Sequence, residues 1–177
     1  MAGATMEAAA AVQDTTQYLT FFLGDETFSL EIGRVREVLD YTIITSVPRM
    51  PEYVQGVINL RGSVVPVVDL RLKFGMPAIS VSVNTCIIIV EATVGGDDVV
   101  LGLLADSVQE VIELERGAIQ PAPRIGTRLD TGYIKGIGRQ DDRFIIILDI
   151  DRVFSHDELD RVQDMRRGSE AMQQPAA

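Results

Sequence analysis

The chain has few of the residues on which most enzymes depend for catalysis. Its 177 residues include one histidine, His156, and one cysteine, Cys86. A single cysteine excludes an internal disulfide, and no cluster of His, Cys and carboxylates suggests a metal site. Cys86 lies in an apolar run and is predicted to be a small core residue, while Gly95-Gly96 lacks the Lys and Ser/Thr of a phosphate-binding loop. We therefore expect no enzyme activity, no cofactor, no metal and no small-molecule substrate.

Excess positive charge, tryptophan and long apolar runs are also missing. A formal net charge of −10 and the absence of tryptophan disfavour a nucleic-acid partner, although a small-barrel nucleic-acid-binding module stays as an alternative. Apolar runs such as Phe144–Leu148 are too short to span a bilayer, and the first residues lack the basic segment of a signal peptide. These absences predict a cytoplasmic protein without direct membrane contact.

The chain contains an internal repeat. The segment Tyr53–Phe74 occurs a second time, 80 residues later, as Tyr133–Phe154, with matching apolar positions. A weaker match at a shift of 73 residues relates Val35–Val38 to Val108–Val111, because Val-x-Glu-Val occurs in both. A repeat of this kind predicts two similar structural units.

The two copies differ most at one turn. The first copy has Asn59-Leu60-Arg61-Gly62, and the second has Arg139-Gln140-Asp141-Asp142. Residues that differ between equivalent turns are free of the shared folding constraint and can serve a specific function. The planar guanidinium of Arg61 makes several hydrogen bonds at once, and arginine is enriched at binding hot spots. The alternative for Arg61 is a solvated turn residue.

Short apolar strands separated by frequent turns predict a mainly all-β fold of two small barrels. We expect a flexible tail over residues 1–16, a domain over 17–159, a C-terminal helix over 155–168 and a second tail over 169–177. The first barrel covers about 17–80 and the second about 81–154, with exchange of strands possible. Pro66 cannot donate a backbone hydrogen bond, so its position is predicted to face a sheet edge or a bulge.

The run from Asn59 to Arg71, NLRGSVVPVVDLR, resembles the signature of the CheW family, the coupling proteins of bacterial chemotaxis. The preceding Gly56-Val57-Ile58 and the upstream Val35–Val38 agree with that family, and the resemblance covers about Gln17 to Leu159. It implies two intertwined small SH3-like β-barrels with a C-terminal helix. It also implies a non-enzymatic adaptor that links the cytoplasmic tip of methyl-accepting chemoreceptors to the regulatory domain of the histidine kinase CheA. A CheW-like scaffold in a non-flagellar chemosensory pathway is the alternative.

The resemblance also assigns protein-binding residues in this sequence. In the family, the arginine of the NLRG turn is needed for coupling, and the Val-x-Glu pair is implicated in contacts with the receptor and the kinase. Further matches fall in the receptor groove of the second barrel. The expected protein-binding residues are Arg61, Val35, Glu37, Gly56, Asn59, Thr85, Cys86, Gly102 and Val111. The same resemblance implies that the cytoplasmic protein is recruited to membrane-associated receptor arrays.

Overall fold

Ten β-strands form most of the structure, which is a computed structural model describing residues 15–94, 96–121 and 131–154. Alternating and continuous apolar runs of β-branched residues favour these strands. The helical segments among these residues are short: two α-helices, α1 (Leu70–Lys73) and α2 (Ile150–Val153), and 3-10 turns at Ile32–Arg34, Arg116–Ala118 and Thr131–Tyr133. The strands are β1 (Thr15–Leu23), β2 (Glu26–Glu31), β3 (Val35–Asp40), β4 (Val54–Leu60), β5 (Ser63–Asp69), β6 (Cys86–Val94), β7 (Asp97–Ala105), β8 (Ser107–Glu115), β9 (Ile134–Gln140) and β10 (Arg143–Leu148).

The strands form two five-stranded sheets. The first sheet has the order β8-β1-β2-β10-β9, and the second has the order β3-β6-β7-β5-β4. Neighbouring strands are antiparallel except for β2 with β10 and β5 with β7. The mainly all-β class is confirmed, and two five-stranded sheets agree with two small barrels. The predicted helix over 155–168 and the terminal segments 1–14 and 169–177 lie outside the described residues.

The two sheets are equivalent to each other through the sequence repeat. Each consists of the first two strands of one copy and the last three strands of the other. Even the parallel registers correspond: Val67 faces Gly102 in the second sheet, and Ile147 faces Ser29 in the first. Neither sheet is therefore built from one copy alone. The division of the chain near residue 80 into two barrels stays a prediction.

One large apolar core joins the two sheets. Leu19, Phe28 and Leu148 from the first sheet pack in the same buried cluster as Val68 and Leu103 from the second. Aromatic residues connect the copies: the Tyr53 ring lies 6.2 Å from that of Phe154, and the Phe74 ring lies 5.8 Å from that of Tyr133. The Lys73 ammonium lies 4.7 Å from the centre of the Tyr53 ring and 5.4 Å from that of Tyr133. The two sheets thus share one large buried cluster, and each sheet also has a smaller buried cluster of its own.

Pro66 corrects one expectation, because its strand β5 lies inside the second sheet, between β4 and β7. The pairing with β7 begins only at Val67, so Pro66 stands just before that ladder. On the other side Pro66 faces Val57, whose backbone N–H and C=O both bond to Thr45 instead. An interior strand therefore tolerates this proline, since no neighbour requires an N–H at that point.

Candidate protein-docking site

The turn between β4 and β5 has the conformation of a tight two-residue hairpin. Arg61 has φ 52° and Gly62 has φ 88°, the paired positive values that match the twist of the flanking strands. The Asn59 side-chain oxygen accepts a hydrogen bond from the Gly62 N–H at 2.8 Å, which fixes the turn. Asn59 therefore shapes the turn that presents the Arg61 side chain.

The Arg61 guanidinium forms a two-pronged ion pair with Glu37. Its Nη1 donates to Glu37 Oε2 at 2.7 Å, and its Nη2 donates to Oε1 at 3.0 Å. This hydrogen bonding raises the pKa of Arg61 above its ordinary value, so the side chain is always charged. The Arg61 side chain nevertheless remains 74% exposed, compared with 26% for Glu37. Glu37 thus orients a charged fork that stays accessible to a partner.

Glu37 and Arg61 meet because the second sheet curls. Glu37 lies on β3 at one end of the strand order, and Arg61 follows β4 at the other end. The ion pair crosses a groove of about 340 Å³ between these two ends. The remaining side chains that line this groove, which we call the first groove, are Arg36, Leu60, Ser63, Val64, Val65, Ile89 and Val100. The groove combines a charged rim with an apolar floor.

Two further predicted residues, Val35 and Gly56, contribute to this geometry without lining the first groove. Val35 lies two residues before Glu37 on β3 and packs partly against the shared core. Gly56 has φ 145°, and a Cβ at this position would lie 2.0 Å from the Thr45 carbonyl oxygen. Gly56 is therefore required for a close backbone approach beside β4 and is buried. Both residues contribute to the shape of the site through the backbone and the core.

The remaining predicted residues do not join the first groove. Thr85 and Cys86 are buried at the start of β6, and Gly102 is buried on β7, where a Cβ would lie 2.9 Å from Ile87. Burial raises the pKa of the Cys86 thiol, and a backbone hydrogen bond from Val108 opposes that rise. Val111 lies on β8 of the first sheet and is 48% exposed. The Val108 contact places Cys86 close to the strand that carries Val111.

Sequence reasoning missed a second ion pair beside the first groove. Arg36 donates to Glu91 on β6 at 2.9 Å, and both side chains are accessible. Arg36 belongs to the repeated Val-x-Glu-Val segment, but a register shift lies between Val35 and Glu37 and both Arg36 and Glu37 line the first groove, so strict alternation along β3 would not have placed its side chain. No sequence pattern indicated that Glu91 would pair with Arg36, because their contact depends on the pairing of β6 with β3.

Two other kinds of feature, a metal site and a membrane-spanning helix, are absent from the described part of the chain. Residues 15–94, 96–121 and 131–154 contain no group of three or more metal-binding side chains. No helix among them is long and apolar enough to cross a membrane. The exposed charged turn above the first groove is the kind of surface that proteins use to contact one another, and the fold around it is β-rich.

Comparison with known proteins gives the family of this chain. The CheW-like domain model matches residues 17–158. The chain is 34% identical over 168 residues to the chemotaxis protein CheW of Klebsiella aerogenes, covering 94% of this chain and 99% of the relative. It is also 34% identical over 146 residues to CheW of Helicobacter pylori, covering 82% and 85% of the two chains. The crystal structure of the scaffolding protein TtCheW from Thermoanaerobacter tengcongensis superposes with a TM-score of 0.71 at 36% identity, covering 81% of this chain and 90% of that one.

The chain belongs to the CheW family. It is a chemotaxis coupling adaptor and not an enzyme, and its partners are components of a chemotaxis array. The family relationship does not favour the nucleic-acid-binding alternative.

Proposed function

We propose that this adaptor links the cytoplasmic tip of methyl-accepting chemoreceptors to the regulatory domain of the histidine kinase CheA. It does so in the cytoplasm, recruited to a membrane-associated receptor array. The main docking determinant is the Arg61 turn, with Asn59 shaping it and Glu37 orienting the guanidinium. Val35 and Gly56 maintain the strands that bring these groups together.

The accessible Arg61 fork is the observation that carries this proposal. A guanidinium that is already held in one orientation loses less conformational entropy when it binds than a free side chain does. Its 74% exposure leaves it open to a second acceptor on a partner. The apolar floor of the first groove offers a place for an aliphatic side chain of the same partner, which is a common composition for a binding hot spot.

A second docking surface is proposed on the other predicted residues. Val111 supplies the exposed apolar contact on β8 of the first sheet, and the buried Thr85, Cys86 and Gly102 maintain the close packing of β6 and β7 in the second sheet. The receptor tip is proposed to bind along this surface, while the Arg61 turn acts in coupling to the kinase. Separate surfaces allow one chain to hold two partners simultaneously.

The first testable consequence concerns Arg61→Ala. Binding to the CheA regulatory domain should weaken by about 2 kcal/mol, which is roughly 30-fold, because a hot-spot arginine is lost. Isothermal titration measures the affinity, and circular dichroism reports whether the fold is retained. Kinase activation in a reconstituted array of receptor, kinase and adaptor should fall in parallel.

Arg139→Ala is the matched control, because Arg139 lies on the equivalent hairpin, is also exposed and also pairs with a carboxylate, that of Asp142. This variant should bind the kinase domain as the wild type does. Unchanged binding and activation with Arg61→Ala would contradict the role of Arg61. Absence of activation with the wild-type chain would contradict the proposed partners instead.

A further inference from the structure

The first sheet contains a second groove that is equivalent to the first by the sequence repeat. It measures about 360 Å³ and lies between β8 and the β9–β10 hairpin. Each of the residues that line it has a repeat-related counterpart in the first groove. Glu110 stands where the first groove has Glu37, and Asp141 stands where it has Arg61. We call this the second groove.

The turn geometry of the two grooves is also equivalent. Asp141 and Asp142 have φ values of 49° and 65°, so this hairpin is built like the Arg61-Gly62 turn. Strands β8 and β9 lie at opposite ends of the first sheet, as β3 and β4 do in the second. The second groove is therefore the same opening between sheet ends, with different charges across it.

In the first groove, an ion pair within the chain bridges the opening. There, the glutamate accepts both prongs of a guanidinium, at 2.7 and 3.0 Å, and the pair bridges the opening. The second groove keeps the glutamate and replaces the arginine with a second acid. Among the described residues, Glu110 makes no side-chain hydrogen bond or ion pair, since only its backbone contacts Thr20. The acceptor is present, and its cation is missing from the equivalent position.

One basic residue, Arg143, also lines the second groove. It occupies the position of Ser63, not that of Arg61, and it forms no ion pair within the described ranges. The charged residues of the second groove are Glu110, Asp141 and Arg143, which together give one net negative charge. Those of the first groove are Arg36, Glu37 and Arg61, which together give one net positive charge. A cation of the same shape as the Arg61 fork would complete the second groove.

We propose that the second groove is a docking site for an exposed arginine of a protein partner. The partner's guanidinium bonds to Glu110 as Arg61 bonds to Glu37 and is attracted also by Asp141. Planar, two-pronged recognition favours arginine over lysine, whose ammonium is a point charge. The proposal adds a second charged docking site on the first sheet, and it does not depend on which array protein supplies the arginine.

Titration of the full ¹⁵N-labelled chain with N-acetyl-arginine amide tests this site. Saturable shifts of the backbone amides of Glu110 and Asp141 are expected, and they should be larger than with N-acetyl-lysine amide. Glu110→Gln should weaken the binding about tenfold, because a charge-assisted hydrogen bond is lost. Asp97→Asn is the matched control: it makes the same change in net charge at an exposed hairpin outside the groove, and it should leave the affinity unchanged.

A second variant tests the equivalence directly. Asp141→Arg should supply the missing cation from the chain itself, so that added arginine no longer shifts the Glu110 amide. Asp97→Arg, with the same charge change, should leave the titration as in the wild type. Absence of saturable shifts, equal shifts with arginine and lysine, or retained binding in Glu110→Gln would each overturn the proposal. The amide spectrum of each variant, compared with that of the wild type, separates these outcomes from loss of the fold.

Discussion

Single residues determine how closely the backbone of β4 can approach its neighbour. Gly56 has φ 145°, and a Cβ there would meet the Thr45 carbonyl oxygen. Gly56→Ala should therefore lower the free energy of unfolding by about 2–4 kcal/mol through steric overlap and backbone strain. Urea unfolding followed by circular dichroism measures the loss. Gly33→Ala is the control, since nothing lies within 4 Å of a Cβ at Gly33, and equal stability of the two variants would contradict the steric argument.

Burial also determines the reactivity of a single thiol, that of Cys86. Its thiol is buried, and burial raises its pKa, so little thiolate forms at neutral pH. Reaction with a disulfide reagent at pH 8 should be at least about tenfold slower in the native chain than in denaturant. The native rate should increase with pH, and the midpoint of this increase should lie above about 8.5, the ordinary pKa of a thiol, because burial raises the pKa of Cys86. Rapid native reaction would indicate that Cys86 is accessible.

At the scale of elements, the two short helices begin at equivalent aspartates in different surroundings. Asp69 is fully buried and accepts hydrogen bonds from the Arg71 N–H at 2.9 Å and the Ile79 N–H at 3.0 Å. Asp149 is half-buried and accepts from the Asp151 N–H at 3.2 Å. Asp69 thus holds both α1 and the segment that follows it, whereas Asp149 caps α2.

Asp69→Ala should cost about 2–3 kcal/mol of unfolding free energy, because it leaves two backbone donors without their acceptor. Asp149→Ala should cost about 1 kcal/mol, the usual value for a lost helix cap. Chemical denaturation of the two single variants gives this difference directly. A larger loss at Asp149 would show that the buried contact to Ile79 contributes little.

Elements were predictable from the sequence where local chemistry decides them. The hairpin at Arg61-Gly62 follows from a turn signal between two apolar strands, and β1, β2, β6 and β7 follow from similar patterns. For Pro66 the prediction of a sheet edge was wrong, because its strand is interior, whereas the alternative of a bulge agrees with the register shift between Val54 and Gly56 beside the Val57–Pro66 pair. Glu37 and Arg61 were each predicted to bind a partner, but their pairing across the groove was not, since it depends on the curl of a whole sheet.

At the scale of the whole molecule, the largest buried cluster joins both sheets. Phe74 follows α1, and its ring lies 5.7 Å from that of Phe28 on the first sheet and 5.8 Å from that of Tyr133. The repeat predicted two units, but it did not determine which copy pairs with which, because such contacts connect residues far apart in sequence. The resemblance implied intertwined barrels, but the structure is needed to show which strands are exchanged.

Phe74→Ala should destabilise both sheets together, by about 3–5 kcal/mol, because it opens a cavity in their shared core. Hydrogen exchange of amides in β1 and in β6 should accelerate by the same factor, and urea unfolding should remain a single transition. Two separate transitions, with only one displaced by the substitution, would show that the sheets unfold independently.

The strand order also determines the sequence of events during synthesis of the chain. Every strand of the second sheet lies between Val35 and Ala105, whereas the first sheet needs β1 and β2 from the start and β8 to β10 from Ser107 onward. A growing chain therefore contains every strand of the sheet that carries Arg61 while the β1–β2 hairpin still lacks its partners. The first sheet closes last, and because its residues line the core that both sheets share, the second sheet reaches its full stability only after β10 has been synthesised.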